Sequence, residues 1–159
     1  QAEYALVKVL GIYTSDSRPK AVGAITCDAF ILQFQITVDR KTMFVVDNRD
    51  VLAVWNMETY EKMAAVQLTD SVKDLNITKN GNALVLGYDR QISCYDLNAE
   101  LLWQATGVSS SAMTQDRDIL ILLCDKQLSF RNPDTGTEAM ADVEIQIPQE
   151  DEIPVLSLL

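Results

Sequence analysis

The stretch VKDLNITKNGNALVLGYDRQISCYDLN, from Val72 to Asn98, decides the fold. An apolar strand ending at Ile77 runs into Asn80 and Gly81, a pair suited to a tight hairpin turn that needs positive φ. A second apolar strand, ALVLGY, ends at the polar turn DRQ, and a third, ISCYD, follows. Short apolar blocks bounded by Asp, Asn, Gly and Arg have strand spacing, not helix spacing.

Copies of this pattern lie on both sides. VLGIYTSDSRPKAVGAITCDAF from Val9 sets without a gap against VLAVWNMETYEKMAAVQLTDSV from Val51, so Leu10 meets Leu52, Tyr13 meets Trp55, Lys20 meets Lys62 and Asp28 meets Asp70. RQISCYD from Arg90 lies over DVLAVWN from Asp50, placing Tyr95 on Trp55 and Asp96 on Asn56. A further step matches Met113 to Ile77, Leu120 to Leu84, Asp125 to Asp89, Leu128 to Ile92 and Asn132 to Asp96. MAAVQL from Met63 has some helix propensity, but the preceding copy puts AVGAIT in the same place, where Gly23 and Thr26 favour strand. A period near forty with four strands per copy means sheets repeated radially, a β-propeller.

The expected fold is therefore all-β, a propeller segment of about three full four-stranded blades with partial blades at both ends, forming one domain. Residues 1–29 read as the third and fourth strands of a partial blade. Blades are expected at 30–69, 70–107 and 108–148. The remainder, 149–159, reads as an acidic linker followed by the first strand of a further blade. Open sheet edges expose unpaired backbone groups, which folded proteins close or cover. The expectation is a segment of a larger propeller, or a half that pairs with another chain.

Composition narrows the function classes. With 159 residues and 48% apolar content the chain can bury a sizeable core. Its longest apolar runs, such as Ile119 to Cys124, are far shorter than the ~20 residues of a membrane-crossing helix. The N-terminal residues carry no basic leader with a long apolar region, so no secretory signal is read there. Cys27, Cys94 and Cys124 are widely spaced and odd in number, which points to a reducing, cytoplasmic setting. Cys94 and Cys124 sit in apolar strands, where a thiol acts as a small hydrophobe. The sequon Asn76, Ile77, Thr78 falls within a strand and reads as coincidence. A formal charge of −10 opposes nucleic-acid phosphates and anionic membranes, and favours encounter with basic or mixed-charge proteins.

Taken together, the copies resemble the WD-repeat β-propeller family, over nearly the whole chain. Tyr95 with Asp96, Trp55 with Asn56, and Arg131 with Asn132 stand where the family's name-giving Trp and Asp fall. The chain has no histidine. The Gly-His pair at the usual blade junction, and the buried Asp, His, Ser/Thr, Trp hydrogen-bond network it serves, have no counterpart here. Blades without that network depend more on apolar packing between sheets, which suits ALVLGY and ILILLC.

The same lack of histidine removes Ser/His/Asp and Cys/His nucleophile systems and His-ligated metals. No C-x-x-C pair, Walker-type loop or G-x-G-x-x-G occurs. The many Asp residues stand at turns that favour Asp without any catalytic role. No catalytic, metal or cofactor site is assigned, and no enzymatic activity is expected. The resemblance implies partner binding on the face formed by the second-to-third strand turns and the connections between blades. Those turns carry Arg49 and Asp50, Asp89 and Arg90, and Asp125 and Lys126, a basic residue beside an acidic one in each blade. Trp55 reads as packed between blades, and Trp103 as an anchor by residue type. The expected function is a protein-protein interaction scaffold within a larger protein or complex, its partners being proteins of basic or mixed charge together with the remaining blades. Two alternatives are a regulatory or sensor propeller of a multidomain signalling NTPase or other enzyme, and a propeller enzyme completed by further blades.

Overall fold

The computed structural model describes residues 7–146. The further strand expected within 149–159 and the acidic run Glu150 to Glu152 lie outside the described residues. Among the described residues there are thirteen strands and no helix: β1(Val7–Tyr13), β2(Ala21–Ile36), β3(Thr42–Asp47), β4(Val51–Asn56), β5(Lys62–Gln67), β6(Val72–Ile77), β7(Ala83–Gly87), β8(Ile92–Tyr95), β9(Leu101–Ala105), β10(Ser110–Met113), β11(Leu120–Cys124), β12(Gln127–Arg131) and β13(Glu138–Glu144). They form three antiparallel meanders in chain order, β1 to β5, β6 to β9 and β10 to β13. This is an all-β propeller segment, as the repeat predicts.

Packing explains the strand patterns. β3 and β7 are buried at every position because each lies mid-sheet and is covered on both sides, β7 by the first and third sheets and β3 by the second sheet and the ribbon of β1 and early β2. Alternate residues of one strand serve two different cores. Ala83 and Val85 join Phe44, Val46, Leu52 and Val54 of the first sheet. Leu84 and Leu86 join Leu120 and Leu122 of the third. Each such Val, Leu or Phe side chain contributes roughly 1.5–3 kcal/mol on burial. The outermost strand β5 half-buries only Ala64 and Val66, and Met63 to Gln67 is strand, not helix.

β2 runs sixteen residues without a break. Its first part pairs with β1 and its second with β3, Ile31 facing Val7 on one side and Asp47 on the other, and the boundary expected at 29 and 30 falls just before that shared residue. The ribbon of β1 and early β2 packs over the first sheet, with Leu10, Ile25 and Cys27 against Met43, Val45, Ala53 and Trp55.

One sequence match shifts by a residue. Leu84 pairs with Cys94, and its counterpart opposite Phe130 is Ile121, not Leu120. The β11–β12 turn is one residue shorter than the β7–β8 turn, so Leu120 instead takes the place of Ala83 and Met43.

Candidate protein-binding face

Consecutive turns of an antiparallel meander lie at opposite ends of its strands, so all second-to-third strand turns share one face. The first two, after β3 and β7, span three residues and close with the amide of Asp50 donating to the Asp47 carbonyl and that of Arg90 to the Gly87 carbonyl, each at 3.1 Å. Asp50 and Arg90 sit at φ 60° and 65°. That is a type I turn followed by a left-handed residue. In the shorter third turn Asp125 takes the left-handed position, at φ 52°. The carbonyls of Asp50, Arg90 and Lys126 accept from the amides of Leu68, Val108 and Ile145, tying each turn to the chain leaving that sheet's outer strand.

The six turn residues behave differently. Arg49 folds back on its own hairpin, its guanidinium 3.1 Å from the buried Asp47 carboxylate. Arg90 reaches to the next sheet: Nη2 donates to Asp125 Oδ1 at 2.8 Å and to the Gly107 carbonyl at 3.1 Å. Asp89 Oδ1 accepts from the Gln91 amide. Lys126 is exposed. The structure thus brings Arg90 and Asp125 together across two sheets and keeps Arg49 with Asp50 on the first.

Beside Arg49 a cleft of about 280 Å³ opens between early β2 and the strands β3 to β5, with Asp28, Asp47, Trp55 and Lys62 in its lining. Lys62 and Asp28 approach to 3.8 Å across it. Sequence reasoning did not place these two at the site. The only signal was their recurrence in register, Lys20 with Lys62 and Asp28 with Asp70.

The opposite face is built from a motif the sequence reading passed over, Thr-x-Asp/Asn at 37 and 39, 78 and 80, and 114 and 116. Each Thr hydroxyl caps the far side of its turn, accepting from the amides of Thr42, Asn82 and Ile119. The hydroxyls of Thr37 and Thr114 also donate to Asp39 and Asp116 at 2.6 Å, and hold both carboxyls below the usual aspartate range. Asp134 receives Thr78, Asn80 and Asn82, binding the third sheet to the second. Gly81 sits at φ 88°, as its hairpin requires.

The remaining reactive groups are structural. Burial pushes the Cys94 thiol up to about 12, and raises Cys27 and Cys124 in the same direction. All three cysteines are unpaired. Among the described residues no three His, Cys, Asp or Glu side chains gather as a metal-binding group. Thr78 of the sequon is fully buried.

The geometry defines a β-propeller segment with a polar, mixed-charge turn face. No family model matches the sequence, and no curated protein matches it. Among solved structures the chain is similar to BamB from Moraxella catarrhalis, with a TM-score of 0.62 over 86% of this chain at 12% sequence identity. The likeness shows a shared β-propeller fold. This chain spans about half of that one, 51% of its length.

Proposed function

We propose that the chain is a WD-like propeller segment serving as a protein-interaction scaffold within a larger protein or complex, and that partners meet it on the face of the second-to-third strand turns. The observation carrying this reading is the Arg90–Asp125 contact between sheets, which sets cationic and anionic groups side by side on exposed turns held by backbone hydrogen bonds. Such a face fits a mixed-charge protein segment, with Arg90 able to exchange Asp125 for a partner carboxylate. The net charge of −10 favours partners that are basic or mixed. The setting is reducing and cytoplasmic, supported by three unpaired thiols. The role is non-enzymatic: a chain without histidine lacks the usual general base, and its Asp residues are engaged in turns.

Reversing Arg49, Arg90 and Lys126 to Glu together should abolish capture of the proteins that the immobilised chain retains at physiological salt. Thermal stability should stay within a few degrees for the changes at Arg90 and Lys126, since exposed pairs such as Arg90–Asp125 are worth only about 0–1 kcal/mol, while Arg49→Glu, which sets a second carboxylate beside the buried Asp47, should lower it and is measured as a single variant alongside. Reversal of Lys41 and Lys79 on the opposite face is the control. Undiminished capture by the triple variant, or equal loss in the control, would remove the turn face from the binding site.

A further inference from the structure

The cleft beside Arg49 has a counterpart within the chain. Strand register sets Val45 over Val85 and Trp55 over Tyr95, the turns between those strands set Arg49 over Asp89, and the repeat sets Asp28 over Asp70. The counterpart, lined by Asp70, Val85, Asp89 and Tyr95 where the first sheet meets the second, holds about 20 Å³, room for about one water. The cleft itself holds about 280 Å³, the small end of the range for ligand pockets. Both of its cations are missing from the closed counterpart: Asp89 stands for Arg49, and Leu101, opposite Tyr95, stands for Lys62, opposite Trp55. The same junction is therefore tight where it carries no cation and open where it carries two.

Hydrogen bonding around the open cleft is unbalanced. The Asp47 carboxylate is committed, accepting from the Arg49 and Val51 amides at 2.8 and 3.2 Å and from Arg49 Nη2 at 3.1 Å. Those bonds orient Arg49 and leave its Nε and Nη1 without an acceptor among the described residues. Lys62 Nζ stands 3.8 Å from Asp28, beyond hydrogen-bond distance. Trp55, which lines the cleft, is 8% exposed, and its Nε1 is the only buried side-chain N or O among the described residues without a hydrogen-bond partner. Against these donors stands one uncommitted acceptor, the exposed carboxylate of Asp28. A guest that restores the balance brings acceptor oxygens, and with two cations in the lining an anionic pair of oxygens suits it best. Val45, Val51 and Ala53 supply an apolar wall.

We propose that this cleft receives a glutamate side chain of a protein partner, its carboxylate bridging Lys62 and Arg49 while its stem lies on the apolar wall. Both cations are about half exposed, so a carboxylate reaches them from solvent. Charge-assisted hydrogen bonds of this kind are roughly twice as strong as neutral ones. Repulsion from the net charge of −10 is screened beyond about 8 Å at physiological salt, whereas these contacts form at hydrogen-bond range. Arg49 belongs both to the cleft and to the turn face, which makes the two continuous. The proposal rests on the scaffold reading for the source of the carboxylate, and adds Lys62 to the residues that bind it.

The test is a titration of the isotope-labelled chain with N-acetylglutamate α-amide, read by NMR at the Trp55 indole N–H, beside its glutamine counterpart and acetate. A saturable shift is expected at millimolar glutamate probe. The glutamine counterpart should give none, and acetate, which lacks the stem, should bind more weakly. Lys62→Met should weaken binding about tenfold, the worth of one charge-assisted hydrogen bond. Asp28→Asn should strengthen it by removing the competing anion, a change of sign that misfolding cannot imitate. Arg90→Glu, outside the cleft, should leave it unchanged. No saturable shift, an equal response to the glutamine counterpart, acetate binding as tightly, or weaker binding in Asp28→Asn would each overturn the proposal. Absent probe binding with capture lost in the turn-face triple variant would sink the cleft alone. Probe binding with undiminished capture in that variant would sink the turn face and leave the cleft standing.

Discussion

At the scale of single residues, Trp55 shows what a propeller blade without histidine does with its tryptophan. The ring is buried among Ile25, Met43 and Val45, yet its Nε1 has no acceptor. The residue directly opposite on β3 is Met43, which offers no oxygen. A buried unpaired N–H costs about 1–3 kcal/mol. Trp55→Phe should therefore leave the urea midpoint unchanged or raise it, while Trp55→Ala should cost about 3–5 kcal/mol through the cavity. A loss with Phe as large as with Ala would show that Nε1 has a partner in solution. That Trp55 is packed rather than exposed was legible from its place at a strand end, although what covers it is the ribbon of β1 and early β2. Its orphaned donor was not, because the facing residue is fixed only by register.

At the scale of elements, the junctions between sheets show matched sizes. Pairing sets Gly23 opposite Ile12, Ala64 opposite Val54 and Trp103 opposite Cys94, one position on β2, β5 and β9. The left-handed residues of the following third-to-fourth strand turns are Tyr60, Ala99 and Gly136. A small residue meets a large one at two of these junctions: a Cβ on Gly23 would fall 2.2 Å from the Tyr60 ring, and one on Gly136 would fall 2.5 Å from that of Trp103. Ala64 and Ala99 share the core of the junction between them. Trp103 also donates Nε1 to the Pro133 carbonyl at 2.9 Å, which fixes its ring over Gly136. Gly136→Ala combines a left-handed backbone with overpacking and should cost about 2–4 kcal/mol. In a double-mutant cycle with Trp103→Ala the pair should couple by at least about 1 kcal/mol. Additive effects would mean that ring and glycine do not bear on each other. The turn at Gly136 and the anchor type of Trp103 were readable separately; that one sits on the other depends on a contact over thirty residues apart.

At the scale of the whole molecule, stability is distributed by sheet position. Among the described residues only the middle sheet is flanked by a full sheet on each side, and β7 and most of β8 are buried. β13 is exposed at every position. Native-state amide exchange should be slowest in β7 and β8 and faster in the outermost strands β5, β9 and β13. Uniform protection across all three sheets would instead indicate a single cooperative unit insensitive to position in the stack. The same arrangement sets the turn face and the Thr-x-Asp/Asn face at opposite ends of every sheet.

The sequence by itself determined the class of fold, because strand periodicity, turn chemistry and a near-forty-residue repeat are local properties that survive in one dimension. It also located the turns carrying Arg49, Asp50, Asp89, Arg90, Asp125 and Lys126. Only the tertiary structure decided which of these meet. Arg90 and Asp125 touch because two sheets stack, and Asp125 rather than Lys126 takes the left-handed position because the third turn is one residue shorter. Likewise β2 serves a ribbon and a sheet at once, since a strand can change partners wherever both edges are available, a choice settled by what packs against it and not by its own residues.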